Sequence, residues 1–241
     1  MEKVLRILKK RKYIVFFDLE GTQHTQEMIA IGAVICSLDR HGKIKKEKEP
    51  FKRYVKAKNK IGRIVINLTG ITEEQLQKEG VSFKTAMEEL KKYCGLNWKK
   101  ALFVSFGNND IRILNQTIAY NLDAPKELCH QIHKNYWDFG TFLTNYVRDE
   151  KGCMMSLVHY CEAFNVDLMK PAHDPVSDAV NLAHLYQAFL TEKNFVHEEY
   201  KKILVANNKI PEPVHQMIVK LSQGESVTPQ MFDEEIKKEL F

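Results

Sequence analysis

The chain is expected to fold as an α/β protein, with a mixed five-stranded sheet, helices on both faces and a helical extension at the C-terminus. Three observations predict this. Strand-like runs come first in succession and later alternate with helical segments, an order that suits a mixed sheet covered on both sides. Tyr13–Leu19 is an unbroken apolar, β-branched and aromatic run, as in a strand buried on both faces. From Thr191 onward the pattern is helical only, broken by Pro211–Pro213 and Gly224 and restarted at Thr228-Pro229 as cap and first helical residue. The domain expectation is residues 1–192 for the α/β domain and 193–241 for the extension.

Each element has a local reason. After the first strand, Glu27–Cys36 (EMIAIGAVIC) reads as a second, with Gly32 permitting a close backbone approach or a bulge. A lysine-rich turn, Leu38–Lys48, leads to a third strand at Phe51–Val55, and its lysines guard an exposed sheet edge. Asn67–Thr72 is a turn opening into a helix with Thr72 as N-cap and Glu73 and Glu74 in the first turn. Ser82 caps a helix over Phe83–Tyr93 that ends at Gly95. Ala101–Ser105 is a fourth strand, and Gly107-Asn108-Asn109 turns the chain into a helix carrying Asp110. Tyr136–Phe139 makes a short fifth strand before a helix at Thr141–Val147, for which Asp138 is the cap. Ser156 caps a helix running to Phe164, and Pro175–Leu190 is a long amphipathic helix.

Composition narrows the function classes. The chain has 241 residues, 44% hydrophobic and 28% charged, ordinary for a globular protein with a sizeable core. No apolar run approaches the ~20 residues of a membrane span, and the N-terminal apolar stretch is too short for a secretory signal. A cytoplasmic protein with no membrane partner is expected. Five cysteines form no CxxC pair, which suits reduced, mostly buried thiols. Cys129, His130 and His133 could be half of a zinc site, but no second pair lies nearby in sequence. The net charge of +5 is unevenly spread: eleven Lys/Arg against two Glu lie between Arg40 and Arg63. That segment suits either a phosphate-rich partner or a solvated basic face.

The chemistry is carried by four acids and a histidine. Asp18 and Glu20 sit two apart at the end of the first apolar run, so their side chains share one face. Asp110 follows the fourth strand, and His173 precedes Asp178 by five residues at the start of the last core helix. Taken singly, an acid at a strand end or a helix start is common, and Asp178 alone could serve the helix dipole. Together the five would make an oxygen-rich site for two hard divalent cations, Mg²⁺ or Mn²⁺, with an imidazole at its rim. Such a site suits hydrolysis of a phosphodiester, the cations steadying the attacking and leaving oxygens and the histidine taking a proton from water. Asp174 reads as a solvated loop acid rather than a ligand.

These motifs resemble those of the DEDDh, or DnaQ-like, 3′-5′ exonucleases, a branch of the RNase H-like fold. FFDLEGT with Asp18 and Glu20 looks like the first exonuclease motif, SFGNND with Asp110 like the second, and HDPVSD with His173 and Asp178 like the third. EMIAIGAVI and LTGIT are similar to further family segments, the latter closest to the ERI-type subgroup, whose members often trim RNA. The resemblance covers about residues 10–192 and implies a five-stranded mixed sheet with its second strand antiparallel to the rest. It implies stepwise release of nucleoside 5′-monophosphates from a single-stranded 3′ end. Asp18, Glu20, Asp110 and Asp178 would bind two metal ions, and His173 would be the general base. Gly21, Thr22 and Met28 would contact the terminal nucleotide, and Leu68 and Phe106 would flank bases or pack in the core. Many ERI-type relatives carry tryptophan where this chain has Phe106. RNA is the favoured substrate; a DNA exonuclease of proofreading or repair type and a non-catalytic nucleic-acid-binding adaptor are the alternatives. The extension could carry a protein partner.

Overall fold

The computed structural model describes residues 2–171 and 173–240. Contacts divide the chain into two compact units, residues 1–141 with 156–191, and residues 142–155 with 192–241. In the first unit a helix α1 (Glu2–Leu8) precedes β1 (Tyr13–Gly21), β2 (Met28–Leu38), β3 (Ile44–Glu47) and β4 (Phe51–Tyr54). Helices α2 (Arg63–Thr69), α3 (Glu73–Glu79) and α4 (Phe83–Cys94) follow, then β5 (Leu102–Ser105), α5 (Asn109–Tyr120), α6 (Lys126–Lys134) and β6 (Tyr136–Asp138). Helix α7 (Phe139–Leu143) begins in it, and α8 (Leu157–Ala163) and α9 (Pro175–Thr191) complete it.

The sheet is ordered β3-β2-β1-β5-β6, with β4 also on β2. Strand β2 is antiparallel to β1, while β1, β5 and β6 run parallel, so the expected mixed sheet is present. It has six strands rather than five. The eleven-residue β2 is long enough to pair with β4 along Ala30–Ala33 and with β3 along Cys36–Leu38. Strand β3 lies inside the segment read as one turn. The real reversal is tighter: the Asp39 carboxylate accepts the amides of His41 and Lys43, and Gly42 adopts φ +80°. Lysine-rich β3 has no apolar period, so its pairing comes from the hairpin and not from its own pattern.

Alternation along β1 sorts the layers. Val15, Phe17 and Leu19 join Ala33, Ile35, Met87, Leu90, Ile113, Leu114 and Ile132 in the core beneath α4, α5 and α6. On the opposite face α9 packs against β1 and β2, with the rings of Phe16 and Tyr186 5.3 Å apart. Expected caps are in place: Thr72, Ser82 and Ser156 accept the amides of Gln75, Thr85 and His159. Asp138 caps α7 through the Thr141 amide at 2.9 Å. Two boundaries differ. Asn67–Thr69 closes α2 before Gly70 turns the chain, and Phe139 starts a helix rather than ending β6. Helices α1 and α6 went unread because each buries only two residues, too few to set a period.

Buried Glu27 shapes the loop after β4. Its carboxylate accepts the amides of Lys58 and Asn59 and the Asn59 side-chain amide, at 2.9–3.0 Å. Charge-assisted bonds of this kind exceed neutral ones by about 1 kcal/mol. Glu27→Gln should therefore lower stability by about 1–2 kcal/mol, read as a lower urea midpoint at unchanged slope. An unshifted midpoint would remove this clamp from the account.

The second unit contains α10 (Lys193–Val205), α11 (Glu212–Ser222) and α12 (Pro229–Leu240). Thr228 caps α12 through the Met231 amide, the restart the sequence suggested, and the break read at Pro211–Pro213 is where α11 begins. Met217 is buried, Lys220 pairs with Glu235 at 3.4 Å, and Tyr146 from the 142–155 segment stacks near Tyr200 at 5.6 Å. Residues 142–155 thus group with the extension rather than with the α/β layer expected to hold them. No helix among the described residues is long and apolar enough to cross a membrane.

Candidate active site

The site forms where β1 ends. Asp18 and Glu20 point to the α9 face while Leu19 between them is buried in the opposite core. Parallel β5 brings its own C-terminal end alongside, since Phe16 pairs with Val104. Ser105 then leads into a turn at Gly107 (φ +82°), whose amide donates to Asp138 and whose carbonyl accepts from Ser105 and Tyr136. This turn starts α5 with Asp110 in its first turn, 3% exposed. The Asp110 Oδ1 accepts the Leu19 amide at 2.8 Å, so the third acid is tied to the backbone between the first two.

The remaining two members come from the entry to α9. A Cβ on Gly32, the β2 residue opposite Asp18, would overlap the Pro175 carbonyl, so only glycine lets α9 start this close to the sheet. That approach places Asp178, in the first turn of α9, beside the end of β1. The His173 amide donates to Asp178 Oδ2 at 3.1 Å, and His173 is itself exposed, with φ +60°. Ligand-capable atoms of Glu20, His173 and Asp178 lie within 4.8 Å of one another, the one such trio among the described residues. Cys129, one of the three residues of the possible zinc half-site, is buried in the core.

Electrostatics follow from this crowding. Burial, then the charges of Asp110, Glu20 and Asp178, raise Asp18 well above the usual carboxylate range. Burial and Asp178 push Glu20 up to about 8. Burial pushes Asp110 up to about 7 against the hydrogen bond from the Leu19 amide that opposes it, and burial also raises Asp178. Four carboxylates held by burial against ionisation, two of them, Asp18 and Glu20, also by the charges of their neighbours, form a donor set that divalent cations fit, because cation charge offsets both.

Of the residues expected at a nucleotide, Gly21 lies at a register shift beside Glu20, with the Ile113 side chain where a β-carbon would point. Leu68 is 54% exposed on α2, and half-buried Phe106 meets Tyr160 edge-on at 5.9 Å. Two expectations need correcting. Met28 is fully buried among core side chains and offers a nucleotide no surface. Thr22 is buried too: its hydroxyl accepts the Glu27 amide and bonds Thr25, closing the loop between β1 and β2. Asp174 is likewise not a solvated acid. Its carboxylate pairs with Lys52 at 2.8 Å and accepts the Val176 amide at 3.2 Å.

Sequence reasoning also passed over Asn181. Almost wholly buried on α9, it accepts the Met169 amide and donates to the Met169 carbonyl, pinning the loop that leads to His173. A lone amide flanked by Val180 and Leu182 was the available signal.

The family model described as exonuclease, of the RNase T type, matches residues 15–186. No curated protein matches the sequence. Among solved structures, cell-death related nuclease 4 (CRN-4) aligns with a TM-score of 0.60 at 19% identity, covering 76% of this chain and 64% of that one. The nuclease domain of 3′hExo, a DEDDh family member bound to rAMP, aligns at 0.59 and 19%, covering 76% and 94%. An E. coli exonuclease I–ssDNA complex aligns at 0.59 and 16%, covering 87% of this chain and 45% of that one. The present chain thus spans under half of exonuclease I. At these identities the structures establish a common fold.

Proposed function

This chain belongs to the DEDDh 3′-5′ exonuclease family, and on that premise we propose that it trims single-stranded 3′ ends, RNA in preference to DNA, with two divalent cations. The observation that carries the reading is the convergence of Glu20, His173 and Asp178 within 4.8 Å, with Asp110 bonded to the β1 backbone beside Asp18. Asp18, Glu20, Asp110 and Asp178 are the residues that would hold Mg²⁺ or Mn²⁺. Bound there, the cations would acidify a water and offset charge on the attacking and leaving oxygens of an in-line displacement.

The chain's own groups do the rest. Exposed His173 stands at the rim, where its imidazole can accept the proton of the attacking water and pass it to solvent. Gly21 offers its backbone to the terminal nucleotide at the end of β1. Leu68 and Phe106 offer faces on which bases rest without sequence preference, while Thr22 and Met28 set the shape of the β1–β2 end from behind. The basic segment Arg40–Arg63 favours a polyanion. The RNA preference is supported by the rAMP bound to 3′hExo and by a further fold relative in complex with a histone mRNA stem-loop.

Matched 5′-labelled RNA and DNA single strands, incubated with the full chain and Mg²⁺ or Mn²⁺, test this. Stepwise 3′ shortening with release of nucleoside 5′-monophosphates, faster on RNA, is expected. Faster DNA trimming would overturn the substrate preference, and no mononucleotide from either would point to a binding adaptor. His173→Ala should cut kcat by about 10²–10⁴-fold while the Kd for a non-hydrolysable strand stays unchanged. Equal losses in both would remove His173 from its role as base.

A further inference from the structure

We propose that the ion pair between Lys52 and Asp174 is a latch that positions His173 and Asp178 for the reaction, making Lys52 a positioning residue of the active site. This rests on the nuclease reading above. Lys52 sits on β4 directly opposite Gly32, which is itself opposite Asp18 on β1. Residues paired across antiparallel strands share a face, so Lys52 stands in the same row as Asp18 on the α9 side of the sheet. Tyr54, two residues on and in the row of Glu20 and Ala30, supports the ammonium from below at 5.1 Å from its ring centre.

The Lys52 ammonium reaches both carboxylate oxygens of Asp174, at 2.8 and 3.2 Å. The pair is partly screened from solvent, with side chains 34% and 21% exposed. Asp174 in turn organises the start of α9. Its carboxylate accepts the Val176 amide, and its carbonyl accepts the Asp178 amide at 2.9 Å. His173, the neighbour of Asp174, holds a left-handed backbone conformation, φ +60°, that is uncommon for a side-chain-bearing residue although histidine visits it more readily than most. One bond from the His173 amide to Asp178 fixes it from the helix side. The Lys52 tether fixes it from the sheet side, joining the histidine-bearing loop to the strand row that holds the first acid. A general base displaced by an ångström loses much of its rate advantage while ground-state binding is little changed.

The test uses the full chain and four variants. Lys52→Met keeps the stem and removes the charge; its kcat should fall by about 10–100-fold with KM within about twofold. Lys52→Arg, which can still pair with Asp174, should recover to within about threefold of wild type. Asp174→Asn should match the Lys52→Met loss, and the double variant should be no worse than either single one, as expected of two halves of one device. Losses that multiply, or a change confined to KM, would overturn the latch. Amide exchange in the metal-free protein supplies an independent reading. The amides of His173, Val176 and Asp178 should exchange about tenfold faster in Lys52→Met, with the middle of α9 unaffected. Unchanged exchange there would also overturn the proposal. A wild-type chain without nuclease turnover would instead contradict the proposed function, leaving the exchange result to decide the latch.

Discussion

Asp18→Asn is expected to remove nuclease turnover, by about 10³-fold or more, and at the same time to stabilise the metal-free protein at pH 8. The two effects have one cause. Asp18 lies where burial and four neighbouring carboxylates oppose its charge, so its folded-state pKa is raised. A carboxyl group raised in this way binds its proton more tightly folded than unfolded. Its contribution to stability is full below the unfolded value of about 4 and is lost as pH rises through the folded value. Glu20, at about 8, and Asp110, at about 7, behave in the same sense. Metal-free wild type should therefore lose thermal stability between pH 5 and 9, and Mg²⁺ or Mn²⁺ should restore it by binding only the folded site. Asparagine keeps the size of the side chain and removes the group whose ionisation the folded site opposes. At pH 8 without metal the variant should melt a few degrees higher than wild type, a shift of about 2–4 °C per kcal/mol. At pH 4, where the acids are protonated, the two should melt together. A variant less stable than wild type at pH 8 would mean that the acids are not in mutual repulsion.

What could be read from sequence was whatever local periodicity or local chemistry fixes. Asp18 and Glu20 share a face because β-strand side chains alternate, and their common side follows from two positions of spacing. Asp110 and Asp178 could be placed because each directly follows a boundary that the sequence marks: the end of an apolar run in one case, a proline at a helix start in the other. Thr72, Ser82 and Ser156 were legible as caps because capping is a property of a few consecutive residues. Register was not legible. That Lys52 stands in line with Asp18 depends on how β4 slides along β2, and a one-residue slip would turn it to the other face. Asp174 looked solvated for the same reason, since its partner lies 122 positions away. Met28 and Thr22 were assigned to a nucleotide by motif position alone. Their burial depends on α5 and on the loop closed by Glu27, which no local pattern specifies. Segment 142–155 could not be assigned to its unit because its contacts are with helices far along the chain.

Gly32 joins the legible to the illegible, and replacing it should do the most damage to the fold. As a glycine within a strand, it signalled either a bulge or a close approach. The pairing of β2 with β1 runs without a shift at this position, which excludes the bulge. The approach is that of α9, whose first residue, Pro175, presents its carbonyl where a β-carbon would stand. The obstacle is backbone, so no rotamer change relieves it; either α9 moves outward or β2 bends. Gly32→Val should therefore cost about 3 kcal/mol or more, a drop in Tm of about 6–12 °C. Moving α9 also withdraws Asp178 from Glu20, so turnover should fall even well below the melting temperature. The smaller Gly32→Ala meets the same carbonyl and should give the same two effects to a lesser degree. Thermal melts and kcat at 20 °C on both variants check this. If Gly32→Ala melted with wild type and kept its turnover, the start of α9 would have to sit farther from the sheet, and the geometry that unites Asp178 with Asp18 and Glu20 would fail with it.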